Sequence, residues 1–154
     1  MKKLITLLLL CCTIVFNSAI AEEVKQDEPK TVKFGMYITD IFDVDFAKNQ
    51  YTIQFWSWFH HDDKDYHPNQ STEIMNAKSF TRQSVNEEIV NGINWDTSKV
   101  KATINQQWQV AKFPFDTQKL TIIVEDIDSD SKGLIFTPDL KASKIDKNAI
   151  PSGW

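Results

Sequence analysis

The side chains in this sequence that could do chemistry fall into two clusters. His60, His61, Asp62, Asp63 and His67 lie together, and imidazoles beside carboxylates are the set that holds Zn²⁺ or supplies a general base. Adjacent histidines at a strand end point to opposite faces, and the spacing matches no tetrahedral ligand set, so the cluster reads as a surface loop. Glu125, Asp126, Asp128 and Asp130 form the second cluster, with the oxygen density a hard cation wants. A calcium loop begun at Asp126 would put Ser131 at the glycine position and Thr137 at the bidentate-acid position. The stretch is therefore a solvated acidic loop or, with an irregular ligand set, a divalent-cation site. There is no Gly-x-Ser-x-Gly elbow, and the 4 glycines form no phosphate-cradling loop. No catalytic residue, metal site or cofactor is assigned, and the chain reads as a non-enzyme.

The first residues speak to location. Lys2 and Lys3 precede an apolar run from Leu4 to Phe16, and Ala19-Ile20-Ala21 supplies the small residues of a cleavage site, so residues 1–21 read as a secretory signal. The run falls well short of the roughly 20 apolar residues that span a bilayer. Both cysteines, Cys11 and Cys12, lie inside it, so the exported chain would have no disulfide, cysteine metal site or thiol nucleophile. Losing two lysines would take the formal net charge from −4 to −6, which argues against nucleic acid or an anionic membrane as partner. The expected location is the periplasm or the extracellular face of the membrane.

Residues 22–31 are charged and poor in apolar side chains, which predicts a flexible leader before a domain over 32–154. From Val32 to Phe46 the even positions are apolar except Asp40, a strand with a bend or bulge at that aspartate. Tyr51 to Phe59 should return as its hairpin partner, with Trp56 and Trp58 on one face and Tyr51, Ile53, Phe55 and Phe59 on the other. Between Thr72 and Trp95 the periodicity is poor, and Asn91-Gly92 suggests a turn between short strands. Lys99 to Val110 alternates cleanly, Leu120, Ile122 and Val124 begin another strand, and Gly133 to Thr137 could form one more. Strands of this spacing, with polar turns and no helical period, predict an all-β sandwich.

A resemblance adds to this reading. Trp108 through Glu125 reads W-x-x-x-x-F-P-F-D-x-Q-x-L-x-I-x-x-E, which resembles the signature loop of the Cys-loop receptors, the pentameric ligand-gated ion channels. Two cysteines close that loop in the family, and the matching positions here are Gln106 and Leu120, as in prokaryotic members without the disulfide. Phe34-Gly35-Met36-Tyr37-Ile38, Ser57-Trp58 and Ile150-Pro151-Ser152-Gly153-Trp154 also fall in family order. The resemblance implies an Ig-like β-sandwich of the receptor ligand-binding type, ending before its last strands and before any pore.

The resemblance further implies core aromatics at Trp58, Trp108 and Trp154, a homopentamer, and a small-molecule ligand held between subunits. Membrane contact would come only through a pore domain that the chain lacks. Ile53, Phe55, Glu125, Asp126, Ile127 and Asp128 are the positions it turns toward a ligand. Ile53 and Ile127 replace family aromatics, so no amine ligand is implied at that family site. In the signature loop, Phe113, Pro114, Phe115 and Asp116, the proline fixes φ, the phenylalanines are expected to pin the connection, and Asp116 would couple binding to gating. Truncating a pinned Phe115 to alanine would cost roughly 3 kcal/mol. The alternative is a soluble periplasmic or secreted β-sandwich binding module with no channel activity.

Overall fold

The computed structural model describes residues 28–112 and 115–150. The expected signal segment, most of the leader, Phe113, Pro114 and Trp154 lie outside them. Within the described residues the protein is all-β, with one short helix.

Strand β1 (Lys30–Asp45) and strand β2 (Gln50–His61) form an antiparallel hairpin closed by residues 46–49. Phe34 stands opposite Phe59, Ile38 opposite Phe55 and Ile41 opposite Ile53, so the alternating apolar residues of both strands meet on one face. Pairing steps from Ile38 directly to Asp40, placing a bulge where the interrupted alternation predicts one. A helical turn α1 (Pro68–Ser71) leads into β3 (Thr72–Ile74).

The next two strands are longer than the sequence pattern suggests: β4 (Ala77–Val90) and β5 (Ile93–Asn105) make a second hairpin. Asn91 and Gly92 both have positive φ (53° and 83°), the conformation whose twist suits a two-residue hairpin turn. Strand β5 also pairs with β2 along its whole length, and β5 stops at Asn105 rather than continuing to Val110. The apolar run after Leu120 yields only the short β6 (Val124–Asp126), which pairs with β3 in a separate two-stranded sheet. Last come β7 (Leu134–Pro138) and β8 (Lys144–Ile145), both parallel to β1 at successive positions along its outer edge. The main sheet therefore runs β4-β5-β2-β1-β7, with β8 also on β1.

One face of this sheet carries the core. Tyr51, Ile53, Phe55, Val100, Ala102 and Ile104 are buried there with Ile41, Trp108 and Ile74, the last from the small sheet. A second cluster of Val32, Phe59 and Leu134 lies toward the start of β1. On the same β2 and β5 faces, but beyond the apolar part, the buried pairs become polar. Ser57 and Ser98 hydroxyls lie 3.0 Å apart, and His61 and Asp96 face each other.

Trp58 needs a correction, because it points away from both clusters. Its indole lies across Gly35 on the opposite face, and its Nε1 donates to Asp139 Oδ2 at 3.2 Å. Asp139 also accepts from Lys33 Nζ at 3.1 Å. Desolvation pushes the Asp139 carboxyl up, but the bonds from Lys33 and Trp58 outweigh it and hold the group below the ordinary carboxylate value.

Candidate functional site

Beyond β5 the chain forms the arms of the Phe-Pro-Phe-Asp loop, and side-chain amides hold those arms together. Gln118 Nε2 donates to Gln109 O at 3.0 Å, while the Gln109 amide donates to Gln118 Oε1 at 3.1 Å. Gln106 Nε2 donates to Lys119 O at 3.2 Å. Gln118 Nε2 also donates to Asp116 Oδ2, fixing that carboxylate beside the loop.

The loop is fastened to the turn between β1 and β2. The Gln106 amide donates to Asn49 O at 2.9 Å, Trp108 Nε1 donates to Asp45 O at 3.3 Å, and the Phe46 and Trp108 rings lie 4.7 Å apart. Trp108 is a core residue as expected. Phe115 is the reverse of an anchor: it is 91 % exposed. The expectation that it pins the loop is therefore corrected, because its ring meets solvent where an anchor would meet the core.

The positions assigned toward a ligand separate. Ile53 and Phe55 are each 1 % exposed, packed inside the main core, so neither can face a ligand from this chain's surface. The alternation of β2 puts them there, on the same face as Tyr51. Glu125, Ile127 and Asp128 are exposed. Asp126 is a structural acceptor: Tyr66 Oη donates to its Oδ2 at 2.8 Å and Ser71 Oγ at 2.6 Å, and the Asp128 amide donates to its Oδ1 at 3.1 Å. Those bonds tie the small sheet to α1 and the preceding loop.

The histidine cluster divides in a way the sequence reading missed. His60 and His61 end β2 rather than opening a loop. His60 points to the outer face, edge-on to the Trp95 ring. His61 points inward, continuing the alternation of Phe55, Ser57 and Phe59, and that parity is the signal that could have found it. Its Nε2 lies 2.6 Å from Asp96 Oδ2, with both side chains buried.

His61 and Asp96 line a cavity of about 180 Å³ at the far end of β2 from the Phe115 loop. Tyr66, His67, Glu87 and Glu88 contribute other walls. The Tyr66 ring stands edge-on to His61 at 5.1 Å, and His67 Nδ1 sits 3.7 Å from Glu87 Oε2 at the half-exposed rim. Asn94 Nδ2 braces the loop by donating to His61 O and Asp63 O. Among the described residues, no three His, Cys, Asp or Glu side chains converge as a metal site.

The chain matches no family model and no curated protein.

Proposed function

We propose that this chain is the ligand-binding domain of a pentameric ligand-gated ion channel of the prokaryotic type without the loop cysteines. The observation that carries the reading is the pole formed by the β1–β2 turn and the Phe-Pro-Phe-Asp loop. There an aromatic side chain, Phe115, projects into solvent with Asp116 held beside it. An aromatic ring held out in water beside fastened loop arms has its whole apolar surface available to pack against a surface beyond this domain. In the receptor reading that surface is the pore region, with Asp116 paired to a basic group there. The finer fold assignment, an Ig-like sandwich of the receptor type, belongs to the same proposal. It is supported by a main sheet whose core face is covered by a second small sheet.

In this reading the domain is exported, acts on the outer side of the membrane, and assembles as a ring of five with a small-molecule ligand between subunits. Sedimentation equilibrium of the purified protein tests the assembly. A five-subunit mass that dissociates on dilution is expected, and a monomer at every concentration sinks the ring.

A further inference from the structure

We propose that the outer face of the main sheet is a binding platform for an acidic oligosaccharide, with Trp56 and Trp58 stacking on sugar rings and Lys99 and Lys101 pairing with their carboxylates. Both core clusters lie on the inward face of β2, so Gln54, Trp56, Trp58 and His60 point the other way. These four are half-buried while the residues between them are buried, and β2 is flanked by β1 and β5. Their accessible surface is therefore the outward one. Three adjoining atoms of the Trp58 indole are almost equally close to where a Gly35 Cβ would stand, so the ring lies face-on over the glycine, and Asp139 holds it there through Nε1. Its other face looks outward. Trp56 is the next outward residue of β2, about 7 Å along the strand, with Tyr37 and Lys99 as cross-strand partners. Trp95, 37 % exposed and edge-on to His60, extends the aromatic surface onto β5. The negative π face of an indole attracts the C–H side of a pyranose ring.

Charge selects the kind of sugar. Lys99 and Lys101 are successive outward residues of β5, and among the described residues neither ammonium group forms an ion pair. Lys101 lies over the Phe42 ring at 5.3 Å, and Lys144 lies over Tyr37 at 4.8 Å. Two carboxylates of this region are already engaged, Asp139 by Lys33 and Trp58, and Asp146 by Tyr37. Asp40 beside the bulge and Glu88 on the edge strand stand at the margins of the face. The two lysines thus complement carboxylates spaced along a glycan. Nucleic acid fits less well, because a chain of formal net charge −4 repels a polymer with a phosphate on every residue. The platform is built from one chain and uses neither the Phe115 loop nor a subunit boundary, so it goes beyond the receptor reading.

The test titrates hexagalacturonate and hexamannuronate into the protein, read by calorimetry and tryptophan emission. Saturable binding of at least one uronate with a shift in emission is expected. Cellohexaose, with rings but no charge, and hexaglutamate, with charge but no sugar rings, should each bind about tenfold more weakly or worse. The double variant K99Q/K101Q removes charges that pair with nothing in the fold, so it should keep the wild-type urea midpoint while weakening the uronate by about tenfold. Trp56→Leu keeps apolar bulk on the strand and should also weaken it. The proposal is overturned by absent saturation with both uronates, by equal binding of cellohexaose or hexaglutamate, by tighter binding of oligothymidylate, or by undiminished binding in either variant.

Discussion

Phe55 and Phe115 are the same side chain in opposite surroundings, and the contrast sets the first prediction. Phe55 is 1 % exposed in the main core, so Phe55→Ala should cost about 3–5 kcal/mol through lost burial and a cavity. Phe115 is 91 % exposed, so Phe115→Ala should change stability by no more than about 0.5 kcal/mol. Urea melts of both variants decide it, and comparable losses would return Phe115 to the role of an anchor. Alternation could group Phe55 with Tyr51, Ile53 and Phe59 on one face, because a strand has a period, but the resemblance turned Phe55 toward a ligand where the fold buries it. It could not orient Phe115, because a loop has no period and a flanking proline stiffens the backbone without choosing a face. His61 lies between these cases: its parity was readable, but the polar stretch after it drew the strand end into a loop. Asp96 was unreadable as its partner, because the pairing depends on the register between β2 and β5, which the sequence does not state.

At the level of elements, β1 and β2 are joined at a point that only glycine can occupy. Gly35 stands opposite Trp58, and a Cβ at Gly35 would overlap the Trp58 indole well inside van der Waals contact. The indole cannot swing away freely, because its Nε1 is bonded to Asp139. Gly35→Ala should therefore destabilise by about 2 kcal/mol through overpacking. In a Trp58→Ala background the same change should lose most of its cost, since the obstacle is gone. Urea midpoints for the four proteins of this cycle test it, and an equal cost in both backgrounds would mean that the glycine matters for another reason. The hairpin of β1 and β2 and its bulge beside Asp40, at Thr39, were legible from alternation. The length of β4 was not, because an edge strand exposed on most of its residues has no apolar face to reveal it. The start of β5 was hidden likewise, since Asp96 and Ser98 occupy inward positions with polar side chains.

Across the whole molecule, two tyrosines join the main sheet and its flanking loop to the small sheet that covers the core and to the segment leading into its strand β6. Tyr51 Oη donates to Thr121 O at 3.1 Å, and Tyr66 Oη donates to Asp126 Oδ2 at 2.8 Å. The expectation of packed layers came from strand spacing, but nothing in the sequence indicated that the second layer would hang on phenol groups. Burial pushes the Tyr51 phenol up to about 12, and burial together with the Asp126 bond and charge pushes Tyr66 up as well. Each phenol must therefore stay neutral in the folded state at pH values where the unfolded chain already ionises, near its ordinary value of about 10. Their contribution to stability is complete below that value and drains away as pH rises toward and through about 12. Urea melts should accordingly show stability falling from about pH 10 upward, with tyrosinate absorbance appearing together with unfolding. Tyr51→Phe should flatten that fall while lowering stability near neutrality by about 1 kcal/mol, the worth of its hydrogen bond. If all 3 tyrosines instead ionise near pH 10 while the fold persists, the phenols do not hold the two layers together.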